Sequence, residues 1–378
     1  MADLGLIEVH APYLRYDAQD GYRAVSAATM TDAPCNSLGR ADGSPIAGQG
    51  TLQALSLETL ARYPVPARFE QGDRLASGPN PLMEAVRMQS SPEYPHRAYG
   101  RVVREAGSTW LEYWLWYYDN PKTFLGKGRH QGDWEMVIVE LGRDGRPKSV
   151  TCSQHNGGEA RRWEETERRD GHPVVYVAPF SHANYFEPRT YFYFPGADHP
   201  TAVGPPALLP EIAEFGPWGE WKGRWGATLG PLRGRLNIGG TSPEAPISQR
   251  QRWFYPARYH RLAVLRKPVG WFWKLLWHFG KATFPPPPRL AGPKLEGARL
   301  KVTCEPAGPG LRRGRHLLLT VHEEGETEAM LVSRTIRAED AGHVELQLPR
   351  KVDDCVVYAS AFNRFHQRSD PVRAATRE

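Results

Sequence analysis

The sequence predicts a mainly β protein: an antiparallel β-sandwich domain with irregular insertions, followed by a small C-terminal β-sandwich. Three observations carry that expectation. The 378 residues include 34 prolines and 37 glycines, a composition that favours many short turns over long helices. Aromatic and β-branched residues gather in runs of strand length, above all Trp110 to Tyr118 and Asp133 to Leu141. The last third alternates apolar and polar residues in short runs separated by turn residues, the spacing of a small sandwich.

The length allows two domains. The clearest boundary is Phe284 followed by Pro285 to Pro288, too rich in proline for a helix or an internal strand. This divides the chain into a domain over 1–284, a spacer over 285–292 and a module over 293–378. In that module Ala298 to Cys304, His316 to His322, Ala329 to Ile336, His343 to Leu348 and Cys355 to Phe362 read as strands. All twelve tryptophans fall between Trp110 and Trp277. Nearer the N-terminus, Ala11 to Asp17 and Asn36 to Gly43 read as strands and turns, and Ser56 to Tyr63 opens like a capped helix, with Thr59 in the place of the usual Glu.

Composition excludes several classes. The net charge of +6 is modest and mostly intermixed with acid, Arg312 to Arg315 being the compact basic cluster; a nucleic-acid partner is not expected. A few basic residues beside aromatics still suit peripheral contact with an anionic membrane. The N-terminus lacks the basic start and apolar core of a signal peptide, and no apolar run of about 18 residues is present. Cytoplasmic location, with no transmembrane segment, is the resulting expectation. Cys35, Cys152, Cys304 and Cys355 show no CxxC pairing, so zinc-finger and redox readings fall away and reduced core thiols are expected.

The chemistry concentrates between the two aromatic runs. Asp119 to Gly132 is loop-like in composition, and if its flanking strands pair antiparallel, it returns Asp133 to the neighbourhood of Asp119. Asp133 and Glu135 are two apart on a strand and project from one face. His130, in a Gly-flanked stretch, can fold back over that face. Three carboxylates this close need a compensating cation. Mostly oxygen ligation suits Mg²⁺, Ca²⁺ or Mn²⁺, with Asp119, His130, Asp133 and Glu135 as ligands. The competing reading has Lys122, Lys127 and Arg129 neutralise the acids as an ion-pair network.

The stretch from Tyr113 to Glu135, with Asp119 and His130-Gln131-Gly132-Asp133-Trp134-Glu135, resembles the signature of the necrosis-inducing (NLP) cytolysins. In that family a His-x-x-Asp-Trp-Glu segment and an upstream Asp hold a divalent ion. Here Gly132 stands where the family has a second histidine, and Asp119 sits in a longer loop. Ser153 to Gly158 is similar to a later segment of the same family. Over about residues 8–256, with blocks at Ala11–Gly43, Tyr99–Val103, Gly132–Glu135, Ser153–Gly158, Gly171–Ala178 and Ser181–Tyr185, the chain resembles the Vps62 family. The closing Val356 to Asn363 and Ser369 to Val372 resemble the end of a fibronectin-III or immunoglobulin-like module, implying an accessory or docking role.

Secondary candidates follow. His155, after a strand-like run and before a glycine turn, reads as a further ligand, a general base for metal-activated water, or a hydrogen-bonding neighbour. His182 either lines the site or bonds loop backbone. Trp218, Trp221 and Trp225 either stack on sugars or lipid head groups or plug a gap between loops and sheet. Val269 to Phe279 is either an interfacial helix or a buried connector. No Gly-x-Ser-x-Gly elbow occurs, which argues against a serine hydrolase. The NLP resemblance implies divalent-ion-dependent recognition of a membrane-lipid or glycolipid head group. The alternative is a metal-dependent ester or phosphodiester hydrolase with His155 and His182 as its catalytic residues.

Overall fold

The computed structural model describes residues 2–40, 43–62, 73–122, 129–155, 157–193, 196–227, 243–265, 285–307, 316–325, 329–363 and 368–376. The expected Val269 to Phe279 segment, Lys127 and Arg312 to Arg315 lie outside them. The architecture is mainly β, in several antiparallel and mixed sheets. It divides into two compact units. One comprises residues 1–14, 22–187 and 207–267; the other comprises 15–21, 188–206 and 268–378.

The first unit is organised by a six-stranded sheet. Its strands are β1 (Arg97–Glu105), β2 (Ser108–Asn120), β3 (His130–Leu141), β4 (Pro147–Gln154) and β5 (Gly157–Arg162). A separate strand β6 (His172–Val177) follows, and β7 (Glu211–Glu214) adds to the edge beside β1. The order is β7-β1-β2-β3-β4-β5, antiparallel except for the β7–β1 pair. The two aromatic runs are β2 and β3, paired with Leu115 opposite Glu135, Tyr117 opposite Asp133 and Asp119 opposite Gln131.

Both faces of this central pair are covered, so β2 and β3 are buried at nearly every position instead of every second one. On one face Trp114, Trp116, Trp134 and Met136 join a core with Trp218, Trp221, Trp225 and Trp253. The three tryptophans that the sequence left open between stacking and plugging are therefore plugs. Trp218, Trp221 and Trp225 are 7%, 3% and 0% exposed, and none presents a free ring. On the other face the Tyr113 hydroxyl donates to the Ile7 carbonyl at 2.8 Å. Helix Leu57–Arg62 forms where the capping pattern places it, with the Ser56 hydroxyl accepting from the Thr59 amide at 3.1 Å.

The second unit contains two facing sheets. One holds β8 (Arg289–Glu296), β9 (Arg299–Glu305) and β12 (Gly342–Gln347). The other holds β11 (Met330–Arg337), β10 (His316–Glu323), β13 (Cys355–Phe362) and β14 (Val372–Ala375), in that order. Strand β8 begins inside the stretch that composition marked as spacer. Leu300, Val302, Val344 and Leu346 from the first sheet pack with Leu317, Leu319, Val357 and Ala359 from the second. All four cysteines are free thiols, and Cys304 and Cys355 are buried in this core.

Segments 15–21 and 188–206 complete the outer face of the four-stranded sheet. Ala18 and Val203 pack on Val356, Tyr358 and Ala375, and the Gln19 amide donates to the Leu318 carbonyl at 2.8 Å. The Arg368 guanidinium grips both oxygens of Asp17, one at 2.9 Å, with Asp17 fully covered. Thr201 adds a hydroxyl bond to Asp17 at 3.1 Å. Removing one partner of a buried ion pair strands the other charge, at a cost of about 3–5 kcal/mol. Asp17→Ala should accordingly lower stability by about that amount in a denaturant titration. A loss below about 0.5 kcal/mol would show that water reaches Arg368 and compensates it.

Candidate functional site

The polar cluster sits where β2 and β3 end. Gly132 shapes it. Its φ of +67° is a left-handed backbone, and a Cβ there would lie 2.0 Å from the Trp225 carbonyl oxygen and 2.5 Å from the Trp116 ring. No side chain fits at the position where the resembling family motif has a histidine. Gly226 is matched to it: with φ +137°, its Cβ would meet the Gln131 carbonyl oxygen at 2.0 Å. This close approach is held by Gln131, whose side chain donates to the Ser77 carbonyl at 3.0 Å and accepts from the Ser77 and Ala227 amides at 2.9 and 3.0 Å.

Asp133 and Glu135 share a face, as their spacing predicts, and both are buried. Asp133 Oδ2 accepts from the Asn120 amide at 2.7 Å and lies 3.2 Å from His182 Nδ1. Burial alone would push the Asp133 carboxyl up. The His182 hydrogen bond, the charges of His130 and His182 and the Asn120 amide outweigh it and hold the group below its ordinary range. Glu135 goes the other way. Burial raises it to about 7, with Asp133 adding to the rise, while Arg252, Ser153 and His155 oppose it. Its Oε2 accepts from the Ser153 hydroxyl and lies 4.0 Å from Arg252. The two carboxyls thus divide the labour: Asp133 stays ionised and Glu135 is poised to gain or lose a proton near neutrality.

Asp119 is fully buried. Burial raises its pKa against the pull of Arg129. Its Oδ2 is met by Arg129 at 3.2 Å and by the Tyr22 hydroxyl at 3.3 Å. Its Oδ1 has no hydrogen-bond partner among the described residues. The His130 Nδ1 lies 2.8 Å from the Gly132 carbonyl. A carbonyl only accepts, so Nδ1 carries a proton toward it. His182, fully buried, stacks on Tyr117 with centroids 4.1 Å apart and planes at 4°. His155 and His182 both hold left-handed backbone, at φ +48° and +53°, an uncommon conformation for residues with a Cβ.

The structure therefore brings Asp133, Glu135 and His182 together. Electrostatic influence joins His130 to Asp119 and Asp133, and His155 to Glu135. Among the described residues, no three His, Cys, Asp or Glu side chains already form a cage around one point. The donor types nonetheless suit a hard divalent ion. The partners named above engage one oxygen of each carboxylate, Oδ2 of Asp119, Oδ2 of Asp133 and Oε2 of Glu135. His130 also donates its Nδ1 proton to a carbonyl, as ligating histidines commonly do.

The competing ion-pair network is present in part, as Arg129 on Asp119. Its second cation was not foreseen. Arg252, on the short helix α1 (Arg250–Phe254), donates to the His155 carbonyl at 2.6 Å and faces Glu135. Nothing in the local sequence marks it, because its partners lie on β3 and on the turn after β4. Asn120, Ser153, Tyr22 and Tyr117 are likewise contributors that residue spacing did not single out. A raised carboxyl alone does not define the site. Glu112, also buried and pushed to about 7, pairs with Arg101 at 2.9 Å and Trp114 at 3.0 Å in a purely structural contact.

No protein-family model matches the chain. No curated protein matches it. Solved structures similar to it include NLPPya in complex with glucosamine, at 15% identity over 57% of this chain and 74% of that one, with a TM-score of 0.29. Necrosis and Ethylene inducing Protein 2, from the causal agent of cocoa's Witches Broom disease, shares 18% identity over 55% and 72% at a TM-score of 0.28. A structure described as a toxin fold that is the basis for microbial attack and plant defense gives 13% over 56% and 73% at 0.29. Scores this low leave the site to be argued from its own geometry.

Arg252 offers a pH-resolved test. A carboxyl whose folded pKa is raised stabilises the folded state at low pH, and that contribution is lost as pH rises from about 4.5 through about 7. Removing the cation raises Glu135 further. Arg252→Met should cost about 1–3 kcal/mol near pH 8 and clearly less near pH 5.5, where Glu135 is protonated in both proteins. Urea titrations at the two pH values measure this. An equal cost at both would detach Arg252 from Glu135.

Proposed function

We propose that the protein recognises a polar head group, of a lipid or a glycan, at the acidic end of β2 and β3, with a divalent ion as intermediary. The carrying observation is the set of three buried carboxylates on adjacent strands, one of which, Asp119, has an oxygen with no hydrogen-bond partner among the described residues. A buried oxygen of that kind carries an uncompensated desolvation cost, which a bound cation or a ligand hydroxyl would relieve. Asp119, Asp133, Glu135 and His130 would hold Mg²⁺, Ca²⁺ or Mn²⁺, and the ion would supply positive charge to a phosphate or hydroxyl oxygen. The partly exposed His130, Arg129 and His155 form the approach. The buried Trp221 and Trp225 take no part in stacking. Selectivity in this reading rests on hydrogen bonds.

The Vps62-like reading of residues 8–256 and the fibronectin-III or immunoglobulin-like reading of the C-terminal module belong to the same proposal. What supports the latter is a seven-strand arrangement in which the first, second and fifth strands face the other four. One observation favours a second reading, hydrolysis of an ester or phosphodiester. His155 is held in left-handed backbone beside Glu135, the kind of conformational outlier that accompanies catalytic placement. There the imidazole would take the proton from an attacking water while Arg252 and Glu135 set its surroundings.

Calorimetric titration with the three ions tests the first reading. Asp133→Asn and Glu135→Gln should each weaken ion affinity by more than the roughly 10–100-fold typical of losing an outer hydrogen-bonding partner. Absence of ion binding tighter than millimolar in the unmodified protein would overturn this reading in favour of the ion-pair network of Arg129 and Arg252. His155→Ala separates the two readings. It should keep ion binding in either case, but lower turnover of ester or phosphodiester substrates about 10²–10⁴-fold only if the imidazole is a base. Loss of the ion in that variant would make His155 a ligand instead.

A further inference from the structure

The basic charge of this chain is not evenly spread. Between Glu244 and Glu296 there is no Asp or Glu, while the same stretch holds ten Lys and Arg residues. With an overall charge of +6, the remainder of the chain is acidic by 4. Such one-sidedness suits a negatively charged partner, although Arg252 is committed to Glu135 and Arg289 and Lys294 lie on β8.

The described part of that stretch places its charge beside exposed apolar groups. Helix α1 is followed directly by helix α2 (Pro256–Leu265). The inner face of α2 carries Pro256, Ala257, Tyr259 and Ala263, all buried. Its outer face carries Arg258, Arg261 and Leu262, exposed at helical spacing, with Val264 at the margin. Phe254 and Tyr255 stand at the junction of the two helices, their rings 6.4 Å apart. Phe254, Tyr255, Leu262 and Val264 are 39–47% exposed, and half of the large hydrophobic residues left open among the described residues fall within these few positions. Arg250, Arg258 and Arg261 form no ion pair among the described residues.

We infer that the outer face of α1 and α2 is a peripheral docking surface for a membrane containing anionic lipids, with Arg258 and Arg261 contacting phosphates and Phe254, Tyr255 and Leu262 entering the interface. Two features favour lipid over a nucleic acid or an acidic protein. Aliphatic side chains stand exposed among the arginines, which suits an acyl boundary and offers nothing to a phosphodiester backbone. Aromatic rings adjoin the charges at the edge, where an interfacial depth places them. The inference rests on this surface and is independent of the carboxylate site. It would bring the protein to a membrane whatever that site binds.

Co-sedimentation of the full chain with vesicles tests it, comparing pure phosphatidylcholine with phosphatidylcholine containing about 30% phosphatidylserine, an anionic content in the range that gives cytoplasmic leaflets their negative potential. Partition should occur on the anionic vesicles and fall with added salt. Arg258→Gln with Arg261→Gln should reduce it roughly 30-fold, from about 1 kcal/mol per basic residue near the surface. Phe254→Ser with Leu262→Ser should also reduce it, with the thermal transition of both variants unchanged. Partition should persist in excess EDTA, which separates this surface from the divalent-ion-dependent head-group site; loss of partition in EDTA would overturn the inference. Equal partition on neutral vesicles, no partition on either, or duplex DNA binding in place of vesicle binding would each overturn the inference.

Discussion

Two carboxylates placed two residues apart on a strand that is buried on both faces create the demand that organises this molecule. Water cannot solvate Asp133 and Glu135 there, and each must be satisfied by protein groups or lose its charge. The answers come from distant parts of the chain. Asn120 comes from the neighbouring strand, Ser153 from β4, His182 from a left-handed turn beyond β6, and Arg252 from α1. Asp133 obtains enough donors to remain ionised. Glu135 does not, and it settles near neutrality.

Rigidity around the cluster comes from glycine and tryptophan together. The Gly132 backbone turns against the Trp225 carbonyl, and Gly226 admits the Gln131 carbonyl, at distances that leave no room for a side chain. Trp116, Trp134 and Trp225 lock behind that contact with ring centroids 5.1–5.3 Å apart. Aromatic contacts in this range add directional preference to simple burial. The aromatic richness of β2 and β3 thus serves the reverse side of the sheet and fixes the strand ends from which Asp119, His130 and Asp133 extend.

The sequence carried the local part of this plan. Strands β2 and β3 were legible because β-forming aromatic and branched residues run together over strand length, and the Asp133/Glu135 spacing puts both carboxylates on one face. The C-terminal strands were legible because their turns fall between alternating runs. Arg252 was not legible: a five-residue helix has no amphipathic signature, and only tertiary contact links it to Glu135. Trp221 and Trp225 were ambiguous because a glycine-rich setting is equally compatible with a loop tip and a core plug. Segments 15–21 and 188–206 gave no sign that they pack with the C-terminal strands, since partners so far apart leave no periodic trace. The Gly132 substitution within the family-like motif becomes intelligible only when the Trp225 carbonyl is seen beside it.

The Asp17–Arg368 pair has a consequence for biosynthesis. These residues are 351 positions apart, so at about 5–20 residues per second the ribosome makes the carboxylate roughly 20–70 s before its guanidinium. Throughout that interval segment 15–21 lacks the sheet it will cover, and the nascent protein must carry that stretch unfinished until Arg368 is made. Closing so long a loop is entropically slow, which places this contact among the last to form. Synthesis of the C-terminal sandwich is therefore also the step that completes the packing of segment 15–21, and nascent protein arrested before Arg368 would be open to proteolysis in that segment.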